Sequence, residues 1–200
     1  MKLKSWLGIA LIVVCTGTLA VAQDASKKEM SPEEKAMMEA WQKAMTPGEA
    51  HKALQPMIGT WNVKVSSWMA PGTPPQVSSG TSEQKWVLGN RYVEQHFKGT
   101  FNGQPFSGIG YVGYDNVSTK YWSTWIDNMT TGIMTSTGTA TDGKTWSFTG
   151  TANDPMSGKA TTFDEKMTFV DKNHQVWEMW GPGPDGRNYK MMQIDYTRKK

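Results

Sequence analysis

The chain has 200 residues, of which 38% are hydrophobic and 20% are charged, and it contains 20 glycines and 10 tryptophans. This composition is typical of one globular domain and excludes a disordered or fibrous chain. The formal net charge is only +3, so the sequence lacks the concentrated positive charge that nucleic-acid binding requires. We therefore expect no nucleic-acid partner.

Residues 1–22 are predicted to be a secretory signal peptide. Lys2 and Lys4 give a positive n-region, residues 7–14 give an apolar h-region, and the sequence AVA at 20–22 gives a small-x-small cleavage box. Cleavage after Ala22 predicts a periplasmic or secreted protein without a membrane span once the signal is removed. The alternative is an uncleaved anchor, for which the h-region is short.

The only cysteine, Cys15, lies in this predicted signal. Val14 precedes it, whereas lipidation requires a small residue at that place, so we expect no lipid anchor. The mature chain then has no thiol, which excludes disulfides, cysteine metal ligands and a cysteine nucleophile.

After a flexible leader at 23–31, residues 32–55 are predicted to form one or two helices. Ser31 and Glu34 have the spacing of a capping box around Pro32, and the sequence TPG at 46–48 ends the first helix near Met45. A second short helix should end near Leu54.

One face of the first predicted helix is apolar. Met37, Trp41 and Met45 repeat every four residues and therefore lie on the same side. We expect this face to pack against the rest of the fold.

Residues 57–200 read as a β domain of short alternating runs separated by turns. Asn-Gly and Asp-Gly pairs between such runs are strong hairpin signals because these residues accept positive φ. Nine turns imply about ten strands. The predicted turns lie at 69–76, 89–90, 102–103, 115–119, 128–131, 142–143, 153–158, 171–173 and 181–186.

The fold class is predicted to be mainly β: a single closed antiparallel up-and-down barrel of about ten strands. Closure removes the two exposed edges of a meander, whereas a two-sheet sandwich usually needs longer connections. In residues 121–128 both faces carry aromatic and polar side chains, so the sequence does not assign inside and outside. That mixture indicates a partly polar interior.

Residues at the two ends of the predicted β domain resemble the calycin signature. Gly59-Thr60-Trp61 stands at the start of the first predicted strand, and Arg198 stands at the end of the last. In lipocalins and their relatives such a Trp and Arg stack at one end of the barrel. The resemblance implies a cation–π contact that closes this barrel.

The chain also resembles, over nearly its whole mature length, the bacterial family called domain of unknown function 1579. The resemblance implies a small, often exported bacterial protein without an established activity. Nitrobindin-type barrels, similar in architecture only, carry a haem-ligating His near the chain end, whereas residues 190–200 contain no His. We expect no haem and no other cofactor. The matching segments are 47–61 (PGEAHKALQPMIGTW), 88–91 (LGNR), 110–116 (GYVGYDN), 123–127 (STWID), 132–138 (GIMTSTG) and 190–198 (KMMQIDYTR).

The three histidines do not form a metal-binding pattern. His51, His96 and His174 are far apart in sequence, with neither a His-x-His nor an HExxH motif. We expect no metal site, a structural or solvated role for each histidine, and a surface position for His51.

Charged residues within strands are candidates for a polar pocket, because inward charges must be paired or hydrogen-bonded. The alternative is a solvated outer face. Asp127 and Glu94 are the catalytic candidates, whereas Asp115 and Asn116 are predicted to stabilise a turn. The full set of ligand-pocket candidates is Arg91, Glu94, His96, Tyr111, Trp125, Asp127 and Glu178.

These observations favour a barrel that binds a small hydrophobic or amphipathic ligand. Two alternatives remain: an envelope protein-interaction module that uses exposed aromatic residues, and a small-molecule enzyme that uses Asp127 or Glu94. The oligomeric state stays open.

Overall fold

The computed structural model describes residues 29–155, 157–183 and 185–200. The predicted signal peptide and most of the predicted leader lie outside the described residues. None of the described helices is both long enough and apolar enough to cross a membrane.

Helix α1, Pro32–Met45, begins as the sequence predicts. The Ser31 hydroxyl accepts a hydrogen bond from the Glu34 amide at 3.2 Å, and the Glu34 carboxylate accepts one from the Ser31 amide at 2.7 Å. This reciprocal capping box satisfies two amides that the first helical turn leaves without partners.

The apolar face of α1 does not pack on the fold, contrary to the sequence expectation. The helix has no buried residue, and Met37, Trp41 and Met45 are all exposed. Within the described part of the chain, its C-terminal end is attached to the barrel: the Asn116 side-chain amide donates to the Lys43 carbonyl at 2.9 Å. Helical spacing predicts that these side chains share a face but does not predict what that face contacts.

A short strap connects α1 to the barrel. It contains helix α2, Glu49–Lys52, and a 3₁₀ turn, Gln55–Met57. The Tyr121 hydroxyl donates to the Ala50 carbonyl at 3.1 Å, and the Trp86 indole donates to the Gln55 side chain at 2.7 Å. These bonds hold the strap across one end of the barrel.

Ten antiparallel strands form one closed barrel, as predicted. Each strand pairs with its neighbours in the chain, and β1 pairs with β10 to complete the ring. The nine connections fall at the nine predicted turns. The strands are β1 Gly59–Ser67, β2 Gln76–Val87, β3 Tyr92–Phe101, β4 Gln104–Asp115, β5 Lys120–Asp127, β6 Met134–Ala140, β7 Thr145–Asn153, β8 Ala160–Asp171, β9 His174–Pro182 and β10 Asn188–Arg198.

Turn chemistry explains why the strands end where they do. Asn102 and Gly103 have φ of 49° and 75°, the left-handed conformation that a tight hairpin needs. The Asp115 carboxylate accepts hydrogen bonds from the Val117 and Ser118 amides at 2.9 and 3.2 Å, as the predicted turn role requires.

The barrel is closed where β1 meets β10. Trp61 stands opposite Arg198 in the register, and the Arg198 guanidinium carbon lies 4.1 Å from the centre of the Trp61 ring. The Trp61 indole also donates to the Met57 carbonyl at 2.8 Å. The closing contact therefore joins both strands to the strap.

Candidate functional site

The two ends of the barrel differ in how its inward side chains are covered. At the strap end, Leu54 and Met57 insert between inward aromatic rings and are themselves 0% and 2% exposed. Tyr121 and Trp146 pack edge to face there, 5.8 Å between ring centres. This end, the closed end, is sealed by apolar packing.

The middle of the barrel is a layer of buried polar side chains. The Gln95 amide donates to the Tyr196 hydroxyl at 3.1 Å, and the Gln175 amide donates to Gln84 at 3.4 Å. Burial raises the pKa of Tyr196 to about 12, so its hydroxyl stays protonated near neutral pH. The space enclosed beside these groups is only about 10 Å³, close to the volume one water requires.

A second part of this layer contains a buried acid. The Glu165 carboxylate accepts a hydrogen bond from the Ser136 hydroxyl at 2.7 Å and one from the Trp177 indole at 3.2 Å. Ser136 is in turn 2.6 Å from the Ser123 hydroxyl. Burial raises the pKa of Glu165, and the two hydrogen bonds only partly oppose that effect.

At the other end, the open end, the inward residues are only half-buried. On each strand these residues share the inward face with residues buried deeper in the barrel. On β5, Trp125 lies two residues beyond buried Ser123, and on β6, Met134 lies two residues before buried Ser136. Phe106 packs on Trp125 with a ring separation of 6.5 Å and an angle of 25°. Other half-buried inward residues near this level are Val65 and Ile194.

Glycine on β4 shapes the wall of the open end. A Cβ at Gly108 would lie 2.2 Å from Trp125 Cζ2, and one at Gly110 would lie 3.1 Å from Trp125 Cε3. The indole therefore lies flat along the backbone of β4. Its position against the wall keeps it from crossing the barrel axis.

Asp127 is at the rim of the open end, where it has a structural role. One carboxylate oxygen accepts from the Trp125 indole at 3.0 Å, and the other accepts from the Met129 and Thr130 amides. Both oxygens are thus used to orient the indole and to form the turn after β5. This arrangement gives no support to Asp127 as an acid or base.

Three of the other candidates lie together on the outer wall. Buried Val93 and Phe97 alternate with Glu94 and His96 along β3, so the latter two point outward. The Glu94 carboxylate accepts from the Tyr111 hydroxyl at 2.9 Å and lies 2.7 Å from His96 Nε2. These contacts hold the pKa of Glu94 below its usual value. A carboxyl that acts as an acid on a ligand inside the barrel has to point inward, whereas Glu94 points outward and its pKa is lowered.

Two further candidates are also outside the barrel interior. Glu178 is outward on β9 and pairs with Lys190, whose ammonium lies 5.7 Å from the centre of the outer Trp180 ring. Arg91, in the β2–β3 turn, donates to the Leu88 and Met45 carbonyls. The sequence missed these orientations because both faces of each strand carry polar residues.

The histidines have structural positions. His51 is buried at the closed end, contrary to the expectation of a surface site: its Nδ1 accepts from the Gly48 amide at 3.1 Å. Burial lowers the pKa of His51. His174 lies on the outside, 3.5 Å from Asp195. Among the described residues, no three His, Asp or Glu side chains come together as a metal site would require.

Glu165 is the residue that sequence reasoning missed. The signal for it is the alternation Phe163, Glu165, Met167, Phe169, which puts an acid on the apolar face of its strand. An acidic residue on the strand face that is otherwise apolar predicts a buried carboxyl, because the apolar face is the one that packs inside.

The family is identified by the sequence match. Residues 46–198 match the family described as "Protein of unknown function (DUF1579)". The chain belongs to this family. No curated protein matches the chain.

Several solved structures resemble this chain. Rv2717c from M. tuberculosis is 14% identical, with a TM-score of 0.56, over 78% of this chain and 100% of its own. A redesigned beta barrel, b11L5F_LGL, is 17% identical over 74% and 96% of the two chains, with a TM-score of 0.41. Another, mFAP1, bound to DFHBI, is 18% identical over 73% and 98%, with a TM-score of 0.40. The likeness to Rv2717c shows a shared barrel architecture, and the two looser ones do not bear on function here.

Proposed function

We propose that this protein binds a small hydrophobic or amphipathic molecule in the open end of its barrel. The observation that carries the proposal is the contrast between the two ends. Inward side chains are sealed under Leu54 and Met57 at the closed end, whereas Trp125, Phe106 and Met134 are only half-buried at the open end. Concave apolar surface that remains in water is stabilised by an apolar ligand.

The rings at the open end favour a flat ligand body. Trp125 lies along the glycine wall and is nearly parallel to Phe106, so ring faces rather than edges line this part of the barrel. Offset stacking on such faces contributes about 0.5–1.5 kcal/mol beyond area burial. The filled middle layer limits the site to the open half of the barrel.

A fluorescence titration tests this proposal with N-phenyl-1-naphthylamine, an uncharged aromatic probe. We expect enhanced probe emission on binding, and weaker binding to Trp125→Ala. Trp122→Ala is the matched control, since Trp122 lies on the same strand but packs outside, against Gly113 and Tyr92. No binding to the wild-type protein, or equal losses in the two variants, would refute an open-end site.

A second function is favoured by one observation, the exposed apolar face of α1. Met37, Trp41 and Met45 are each more than half exposed. Clustered exposed apolar side chains mark interaction surfaces, so we propose a protein partner as the alternative. A photo-crosslinker at position 41 should give one discrete adduct in the native cells. The same crosslinker at Ser147, exposed on the outer wall of β7, should give none.

A further inference from the structure

Glu165 is a buried acid without a cationic partner. It is 7% exposed, and no Lys, Arg or His among the described residues forms an ion pair with it. A carboxylate has about four acceptor positions, and the Ser136 and Trp177 donors occupy two of them. A buried carboxylate held only by neutral donors costs stability unless a positive group is brought to it.

The acid is positioned just beneath the open end. Ser123, Ser136 and Glu165 come from β5, β6 and β8, and they reach one another across Gly150 of β7. A Cβ at Gly150 would lie 2.4 Å from the Phe163 ring and 2.8 Å from the Ser136 Cβ, so glycine leaves room both for that ring and for the contact between Ser136 and Glu165. Trp125 and Met134 are the next inward residues along β5 and β6, about 7 Å nearer the opening.

The Glu165 carboxylate accepts hydrogen bonds from the Ser136 hydroxyl and the Trp177 indole, which leaves about two of its acceptor positions for a further donor. An incoming group that donates hydrogen bonds and carries positive charge matches this chemistry. It would also reverse the effect of burial on the Glu165 pKa, because an adjacent cation favours the ionised acid.

We infer that the Glu165 carboxylate, supported by Ser136 and Ser123, binds the ammonium head group of the ligand, which is an alkyl or aryl amine. The apolar body of the amine occupies the space beside Trp125 and Met134. This inference rests on the proposed function, because the amine enters through the same open end. It adds the ligand class and the residue that selects it.

Calorimetric titration with three ligands of equal chain length tests the inference: n-octylammonium, n-octanol and n-octanoate. At about pH 7.5 we expect octylammonium to bind about tenfold tighter than octanol, with octanoate the weakest, because only the ammonium offers charge-assisted hydrogen bonds to a carboxylate. Glu165→Gln should weaken octylammonium binding about tenfold and change octanol binding by less than about twofold.

Asp164→Asn is the matched control. Asp164 is the neighbour of Glu165 on β8 but is exposed on the outer wall, so the substitution removes the same charge without touching the site. Its octylammonium affinity should equal that of the wild type. Near-ultraviolet circular dichroism verifies the fold of each variant. Should Glu165→Gln not fold, Glu165→Met supplies an apolar side chain of similar length for the same comparison.

The outcomes separate the two claims. If the three ligands bind equally, or if Glu165→Gln and Glu165→Met bind octylammonium as the wild type does, the amine inference is wrong and the open-end site stands. If neither the octyl compounds nor N-phenyl-1-naphthylamine binds, the proposed function fails and the inference fails with it.

Discussion

Replacing Arg198 with alanine tests whether one side chain fastens the closed end of the barrel. Its Nη1 donates to the Ile58 carbonyl at 2.7 Å, its Nη2 to Pro56 at 3.1 Å and its Nε to Lys172 at 2.9 Å. Its guanidinium also covers the Trp61 ring. Arg198 therefore connects the last strand to the strap, to the β8–β9 turn and to the first strand.

The expected loss of stability follows from these contacts. A hydrogen bond from a charged donor contributes about 1.5–3 kcal/mol, and a cation–π contact contributes about 0.5–2 kcal/mol. Because Arg198 is only half-buried and the contacts are coupled, their sum overstates the effect. We expect Arg198→Ala to cost about 3–5 kcal/mol. Arg198→Lys should cost about 1–3 kcal/mol, since an ammonium keeps the charge but not the planar fork of donors.

Urea denaturation followed by tryptophan fluorescence measures these losses, and thermal melting provides a second readout. In a domain of this size 1 kcal/mol corresponds to about 2–4 °C, so Arg198→Ala should lower the Tm by on the order of 10 °C. The control is Arg187→Ala, whose side chain is 88% exposed and pairs with Asp185 in a loop. It should change stability by less than about 0.5 kcal/mol.

A loss below about 1 kcal/mol for Arg198→Ala would refute the closure argument. So would an equal loss for Arg187→Ala, because the effect would then not depend on the contacts with Trp61 and the strap.

Three further perturbations have defined outcomes. The pKa of Glu165 is raised in the folded protein, so the wild type should lose stability as pH rises from about 4.5, the pKa of the unfolded chain, through the raised pKa of the folded state. Urea melts of Glu165→Gln should not show this loss. The pKa of His51 is lowered, so the wild type should lose stability as pH falls below about 6.5, whereas His51→Gln should be insensitive there; an unchanged pH slope would contradict the burial argument. Gly108→Val should cost about 1–3 kcal/mol, because its Cβ collides with Trp125, whereas Gly132→Ala, with open space around it, should be neutral in the same melts.

Local signals in the sequence were sufficient for the strands and their connections. The positive φ at Asn102 and Gly103 is a property of those residues themselves, and so is the hydrogen bonding of Asp115 to the next amides. The capping box of Ser31 and Glu34 likewise involves a single turn. Such interactions form between residues close in the chain, so the order of residues contains the information needed to predict them.

The faces of the strands required the tertiary structure. Trp122 and Trp125 are the same residue type on one strand, yet one packs outside against Gly113 and the other inside against Gly108. Alternation assigns them to opposite faces but does not label the faces. Which face points inward depends on which side chains meet across the closed barrel. Those contacts join residues that are distant in sequence.

The sequence and the tertiary structure likewise determined different features of the protein. The sequence by itself determined a closed barrel of ten strands and its turns, because hydrophobic alternation and turn chemistry act locally. The Trp61 and Arg198 pair was implied by the resemblance to the calycin signature, and the structure confirms it. Only the tertiary structure placed Glu94 on the outer wall, left the α1 face exposed and buried Glu165 beneath the open end. Burial, and with it the pKa of an acid, is set by neighbours that the fold brings together from distant strands.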